Sequence, residues 1–174
     1  MKYILFLFIC SNVFGQAHIK NQYYLQTNIG GYDQLLPDLN NFAIQLEYGK
    51  YNKKLNSKGF GFLYAKKITP NNIPVERYQL SFKQELTVFS SADLISTFKV
   101  LGSVNFGYES INKEKPTFDD IQITDKSAFI LAPGLGVEYE LTPFVLGSRV
   151  TYNFLSNYQK FTVVPYFGIK IHLQ

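Results

Sequence analysis

The residues from Ile95 to Leu141 read ISTFKVLGSVNFGYESINKEKPTFDDIQITDKSAFILAPGLGVEYEL, and they decide the fold. From Phe98 the chain alternates: Phe98, Val100, Gly102, Val104, Phe106 and Tyr108 share one face, and Thr97, Lys99, Leu101, Ser103, Asn105, Gly107 and Glu109 share the other. A period of two is the mark of a strand. Beyond a loop rich in Lys, Asp and Thr the pattern returns. Phe129, Leu131, Pro133, Leu135, Val137, Tyr139 and Leu141 now oppose Ile130, Ala132, Gly134, Gly136, Glu138 and Glu140. In a soluble sandwich the second face would meet solvent. Here it holds mostly small residues with a few charges, as required where a narrow membrane barrel fits its side chains inside.

The same alternation extends in both directions. Tyr23, Leu25, Thr27 and Ile29 form a first outward row, followed from Gly30-Gly31 by a polar loop through Pro37 and Asn41. Phe42, Ile44, Leu46 and Tyr48 make a second row that ends in a basic turn from Lys50 to Lys58. Phe60, Phe62 and Tyr64 face outward in a third, and the Thr69-Pro70-Asn71-Asn72 cluster reverses it. The fourth is long, with Tyr78, Leu80, Phe82, Leu86 and Val88 outside and a tight turn at Ser90 to Asp93. After the opening pair and the Thr142-Pro143 turn, Phe144, Leu146, Ser148, Val150, Tyr152 and Phe154 lead to the closing row Phe161, Val163, Pro165, Phe167, Ile169, Ile171 and Leu173.

The expectation is an all-β chain forming a single antiparallel eight-stranded transmembrane β-barrel of the outer-membrane type, the smallest such barrel, with both termini periplasmic. The short turns at 90–93 and 142–143 then face the periplasm and the loop from Ser110 to Ser127 faces outward. The Lys50 to Lys58 turn is longer than that rule prefers.

Composition agrees with a wall of this kind. Tyr and Phe supply 17% of the 174 residues with no Trp, as aromatic girdles at two water interfaces would demand. No apolar run reaches the ~18 residues of a spanning helix. The longest begins the chain: Met1-Lys2 precedes apolar Tyr3 to Cys10, and Val13-Phe14-Gly15 fits a signal-peptidase site. Residues 1–15 are therefore read as a signal peptide and 16–174 as the barrel domain, with cleavage after Ala17 as the alternative. The sole cysteine, Cys10, lies in the leader; as a lipoprotein site it would follow Ile9, which is large for that processing. Loss of Lys2 leaves 16 basic against 13 acidic residues, a net +3, too weak to argue for direct nucleic-acid binding.

The inward positions carry the cations Lys67, Arg77, Lys83, Lys99, Arg149 and Lys170 and the carboxylates Glu47, Glu85, Glu109, Glu138 and Glu140. An ion-selective lumen and a salt-bridged plug both fit; the near balance of charge in so narrow a barrel favours the plug. Catalysis finds little support. His18 and His172 are the two imidazoles and stand at the ends of the chain, and Glu138 with Glu140 can serve the lumen as readily as an acid/base pair. Asp119, Asp120 and Asp125 match no EF-hand spacing, and no cofactor motif is present. Recognition elements are confined to the ends: Lys50, Lys53, Lys54 and Lys58 at one, and Phe118, Asp119 and Asp120 with their charged neighbours at the other.

Several segments taken together resemble a known family. IPVERYQLSF at 73–82, GYESIN at 107–112, AFILAPGLGVEYEL at 128–141 and YFGIKIHL at 166–173 are similar, in order and spacing, to the TraO family of conjugative transposon proteins. The Asp119-Asp120 pair replaces an Asp-Gly that the family tends to carry in its loop. The resemblance implies an outer-membrane role in conjugal DNA transfer, with outer-membrane lipid and other transfer proteins as partners, and it supplies no catalytic residue. A stand-alone barrel of the adhesin or membrane-stabilising kind is the alternative. The closing residues, with Gly168, Ile171 and Leu173, also resemble the signal read by the outer-membrane insertion machinery, although the chain ends in Gln174 rather than an aromatic.

Overall fold

The computed structural model describes residues 21–69, 73–111, 117–118, 121–122, 128–156 and 158–173. The leader, His18, Asp119, Asp120 and Asp125 lie outside the described residues. The strands are β1 Tyr23–Gly30, β2 Phe42–Tyr51, β3 Ser57–Ile68, β4 Pro74–Ser90, β5 Ser96–Ile111, β6 Thr117–Phe118, β7 Ile121–Gln122, β8 Ala128–Leu141, β9 Phe144–Tyr152 and β10 Phe161–Leu173.

Eight of them close into an antiparallel barrel in the order β1-β10-β9-β8-β5-β4-β3-β2, so every neighbour in the sheet is a neighbour in the chain except where β10 meets β1 and β8 meets β5. Closure pairs every strand edge, which an isolated wall could not do in lipid. The two short strands β6 and β7 form a separate hairpin, Thr117 opposite Gln122 and Phe118 opposite Ile121, within the connection that the sequence presents as an irregular loop.

The alternation read from the sequence sorts the two faces. Phe82, Val104, Phe129, Leu135, Leu146 and Phe167 are exposed on the outside, whereas Gln45, Leu101, Asn105, Ala132 and Glu138 are buried inside. Aromatic rings gather toward both ends of the wall. Tyr23 stacks on Tyr48 at 5.7 Å at the end with the short turns, and Tyr64 meets Tyr78 at 5.1 Å and Tyr108 meets Phe129 at 5.6 Å toward the other.

The inward face is bulkier than its small residues suggest. Tyr24, Tyr51 and Tyr166 are buried in it. A Cβ on Gly49 would stand 2.5 Å from Cζ of Tyr24, so the glycine is the space that the ring occupies. The small residues and the tyrosines are therefore two halves of one packing solution.

Two turns depart from the sequence reading. β2 runs to Tyr51 and β3 starts at Ser57, so the basic turn shrinks to residues 52–56. The Asn52 amide donates to the Asn56 carbonyl at 2.8 Å, the Asn52 side-chain oxygen accepts from the Lys54 and Asn56 amides, and Leu55 reverses the chain at φ 62°. Lys53 and Lys54 occupy the turn, but Lys50 and Lys58 stand opposite each other on the outer wall. At the next turn on this end, Asp93 accepts from the Ser91 hydroxyl at 2.5 Å and the Ile95 amide at 3.1 Å, bonds that hold its carboxyl below the usual aspartate range.

At the opposite end, the connection from β1 to β2 is not the simple polar loop expected. Gln34 donates to the carbonyls of Leu36 and Asn41, and Asp38 accepts from the amides of Asn40 and Asn41 at 2.8 and 2.6 Å. That frame holds Leu35, Leu36 and Leu39 at 80%, 74% and 90% exposure.

Candidate functional site

Two charge clusters fill the barrel, and cross-strand register begins their assembly. Pairing places Arg77 opposite Glu109 and Lys99 opposite Glu138. Barrel curvature brings the remaining groups together across the lumen. In the larger cluster Lys83 pairs with Glu47 and, at 2.6 Å, with Glu85; Arg149 reaches the other Glu47 oxygen at 2.9 Å. Lys99 lies 2.7 Å from Glu140. Lys170 touches three carboxylates, Glu138 at 2.6 Å, Glu140 at 3.2 Å and Glu85 at 3.6 Å.

Hydroxyl and amide donors add to the shells of three of the carboxylates. Ser57 donates to Glu85 at 2.7 Å, Tyr166 to Glu138 at 3.0 Å, Gln26 to Glu138 at 3.0 Å and Tyr51 to Glu140 at 3.3 Å. Stripping water from an ion is costly unless a partner charge and hydrogen bonds replace it. Both replacements are present here.

The smaller cluster closes the end of the barrel that carries the longer loops. Arg77 donates through Nε to Glu109 at 2.7 Å, through Nη1 to Thr162 at 2.7 Å and through Nη2 to the Gln159 carbonyl at 3.1 Å. Ser156, from the β9–β10 connection, donates to Glu109 at 2.8 Å and thereby ties that loop over the mouth. Above it Lys67 pairs with Asp33 at 3.0 Å, and Gln159 donates to the same carboxylate at 2.7 Å. Lys67 is thus a residue of the mouth, apart from the five deeper cations.

Among the described residues, five buried cations, Arg77, Lys83, Lys99, Arg149 and Lys170, balance five buried carboxylates, Glu47, Glu85, Glu109, Glu138 and Glu140. A cavity of about 20 Å³ separates the clusters, lined by Arg77, Arg149, Gln45, Gln79, Asn105 and Tyr32 among others. That is room for about one water. Planar-bilayer recording of the purified barrel should accordingly show no steady, large conductance; a stable open state would mean that the clusters part in the membrane.

The tyrosines, Gln26 and Ser57 escape a search for charges, although their places on the inward row were the available signal. Ser156 and Asp33 gave none, because loop residues carry no periodicity. His172, on the same inward row of the last strand as Lys170, points inward with its ring 5.6 Å from that of Tyr51 and Nε2 3.4 Å from Glu140. Among the described residues no group of three or more His, Cys, Asp or Glu side chains could hold a metal ion.

The end residues divide. Lys53 and Lys54 are exposed in their turn and Lys50 and Lys58 on the wall, while Phe118 is placed only by the backbone pairing of β6. Lys50 donates to the Tyr23 hydroxyl at 3.2 Å and lies 4.6 Å from the centre of its ring.

Structural comparison gives small outer-membrane barrels at low identity. Neisserial surface protein A is similar with a TM-score of 0.60 at 13% identity, covering 86% of this chain and 96% of that one. The N-terminal β-barrel domain of OprF from Pseudomonas aeruginosa gives 0.54 at 10% identity, with 87% and 98% covered. Ail, the attachment invasion locus protein of Yersinia pestis, gives 0.53 at 14% identity, with 88% and 99% covered. These likenesses establish a shared fold. A search of curated protein sequences gives no match. The sequence itself matches the family described as conjugative transposon protein TraO over residues 20–173, nearly its whole length. The chain belongs to the TraO family of conjugative transposon proteins.

Proposed function

We propose that this barrel is an outer-membrane component of a conjugative DNA-transfer apparatus and that it acts by docking to other transfer proteins, without catalysis. Family membership supports the apparatus, and the fold shared with outer-membrane barrels supports the location, with the short turns toward the periplasm. The observation that carries docking is the filled lumen. A barrel whose interior charges are consumed by one another leaves its loops and turns for recognition.

Two rims are available. The periplasmic rim presents Lys53 and Lys54 to an acidic partner surface. The outer rim presents Leu35, Leu36 and Leu39, and the connection to which Phe118, Asp119 and Asp120 belong in sequence leaves β5 and enters β8 at that end.

A mating assay with three replacements tests the proposal: Ser for Lys53 and Lys54, Ser for the three leucines, and a Gly/Ser segment for residues 113–126. Each variant is first checked for normal membrane insertion. Transfer should fall by at least about tenfold in the variant that removes the contact, as expected when interface anchors are truncated. Normal transfer in all three would leave a stand-alone barrel as the better description.

A further inference from the structure

The outer wall carries a row of polar side chains that its neighbours among the described residues do not neutralise. Register aligns Tyr23 with Lys50, Lys50 with Lys58, and Lys58 with Gln84 across β1, β2, β3 and β4. All four point outward. At the usual strand spacing the row is about 14 Å long. Two ammonium groups directly opposite each other repel, and among the described residues neither lysine is in an ion pair. The other end of the same wall is built differently. There the outward Lys66 lies opposite the acidic Glu76 in register, and the Glu76 carboxylate accepts from Tyr64 at 3.1 Å and Tyr78 at 2.8 Å. That end places a carboxylate beside its lysine, whereas the row from Tyr23 to Gln84 holds none.

Two further features identify the source of an anion for that row. The lysines stand at the level of an aromatic girdle, with Lys50 over the ring of Tyr23 and Tyr23 stacked on Tyr48, which is where side chains meet lipid headgroups. The row also leads into an apolar depression. Gln84 is opposite Gly102, and Gly102 is opposite Leu135. These residues line a groove of about 820 Å³ with Val100, Pro133 and Val150. A Cβ on Gly102 would meet nothing within 4 Å, so the groove is open at that point.

We infer that Tyr23, Lys50, Lys58 and Gln84 form a binding site for the phosphate headgroup of an anionic phospholipid, with an acyl chain of that lipid lying in the groove over Gly102. The site depends on the barrel being embedded in a membrane and is independent of protein docking at the rims. It also gives the four lysines separate tasks: Lys50 and Lys58 hold lipid, and Lys53 and Lys54 remain free to meet a protein.

Native mass spectrometry of the detergent-solubilised barrel, titrated with palmitoyl-oleoyl phosphatidylglycerol or with the matching phosphatidylcholine, tests this. The first phosphatidylglycerol should bind roughly 10- to 30-fold more tightly, the gain expected from two interfacial lysines. The preference should shrink as ammonium acetate is raised. It should vanish in the Lys50→Gln/Lys58→Gln variant and survive in Lys50→Arg/Lys58→Arg and in Lys53→Ser/Lys54→Ser. Gly102→Leu, which fills the groove from outside, should weaken both lipids equally. Equal binding of the two lipids by the wild type, or a preference intact in the glutamine variant, overturns the headgroup site; binding unaffected by Gly102→Leu overturns the acyl groove. Mating by the glutamine variant is a separate readout: lost lipid preference with normal transfer leaves the lipid site standing and removes these lysines from docking.

Discussion

Lys83→Met is expected to lower the stability of the barrel by about 3–5 kcal/mol, the usual consequence of removing one member of a buried ion pair. Lys83 sits between Glu47 and Glu85, with Glu138 at 4.0 Å, so its loss leaves buried carboxylates facing one another without the ammonium between them. Methionine keeps much of the length and removes the charge. Urea unfolding of the barrel refolded in phosphatidylcholine vesicles measures the effect. The double variant Lys83→Met/Glu85→Gln restores the charge balance and should recover a substantial part of the loss. Equal stability of wild type and Lys83→Met would show that the cluster is hydrated enough to rearrange at little cost.

Leu135→Arg is expected to cost about 2–4 kcal/mol in the same experiment, the penalty of a cation facing lipid near the middle of a barrel wall. Leu135 is exposed on the outer face of β8, between Pro133 and Val137, and far from either turn of its strand. Leu135→Phe keeps an apolar side chain and should be near neutral. The neighbouring Gly136 offers the contrast, because it faces inward and a Cβ there would press on the Ser148 carbonyl, with Leu101 Cδ1 at 3.0 Å. Gly136→Ala should therefore destabilise through crowding while adding no charge. An arginine tolerated at 135 would place that position away from the hydrocarbon.

The faces of the wall were legible because parity along a strand is a local property: once Leu135 points outward, Gly136 must point inward. The contents of the lumen were legible for the same reason. Who pairs with whom was not. Lys83 and Glu47 are 36 residues apart and Lys170 meets Glu85 across the barrel, contacts fixed by how far each strand is staggered against the next. A period of two carries no information about stagger. Turn lengths failed for a related reason. Lys50 to Lys58 looks like a continuous polar stretch, yet Tyr51 and Ser57 are inward-facing strand residues, and the five residues between them close on the Asn52 side chain. The leucines of the β1–β2 connection were passed over because Asp, Gln, Pro and Asn around them read as a solvated loop; the hydrogen bonds that display them join residues with no repeating pattern.

The last strand of the chain, β10, completes the sheet against β1, with Leu173 opposite Tyr23 and Tyr166 opposite Gly30. It also delivers Lys170, the cation in contact with Glu85, Glu138 and Glu140. Until that strand arrives, the growing wall has two unpaired edges, which lipid does not tolerate, and an interior with an excess of negative charge. Sealing the edge and neutralising the interior are therefore one event. Assembly has no comfortable halfway state in the bilayer, so insertion and closure proceed together, and the thirteen residues of β10 are the step that commits the barrel.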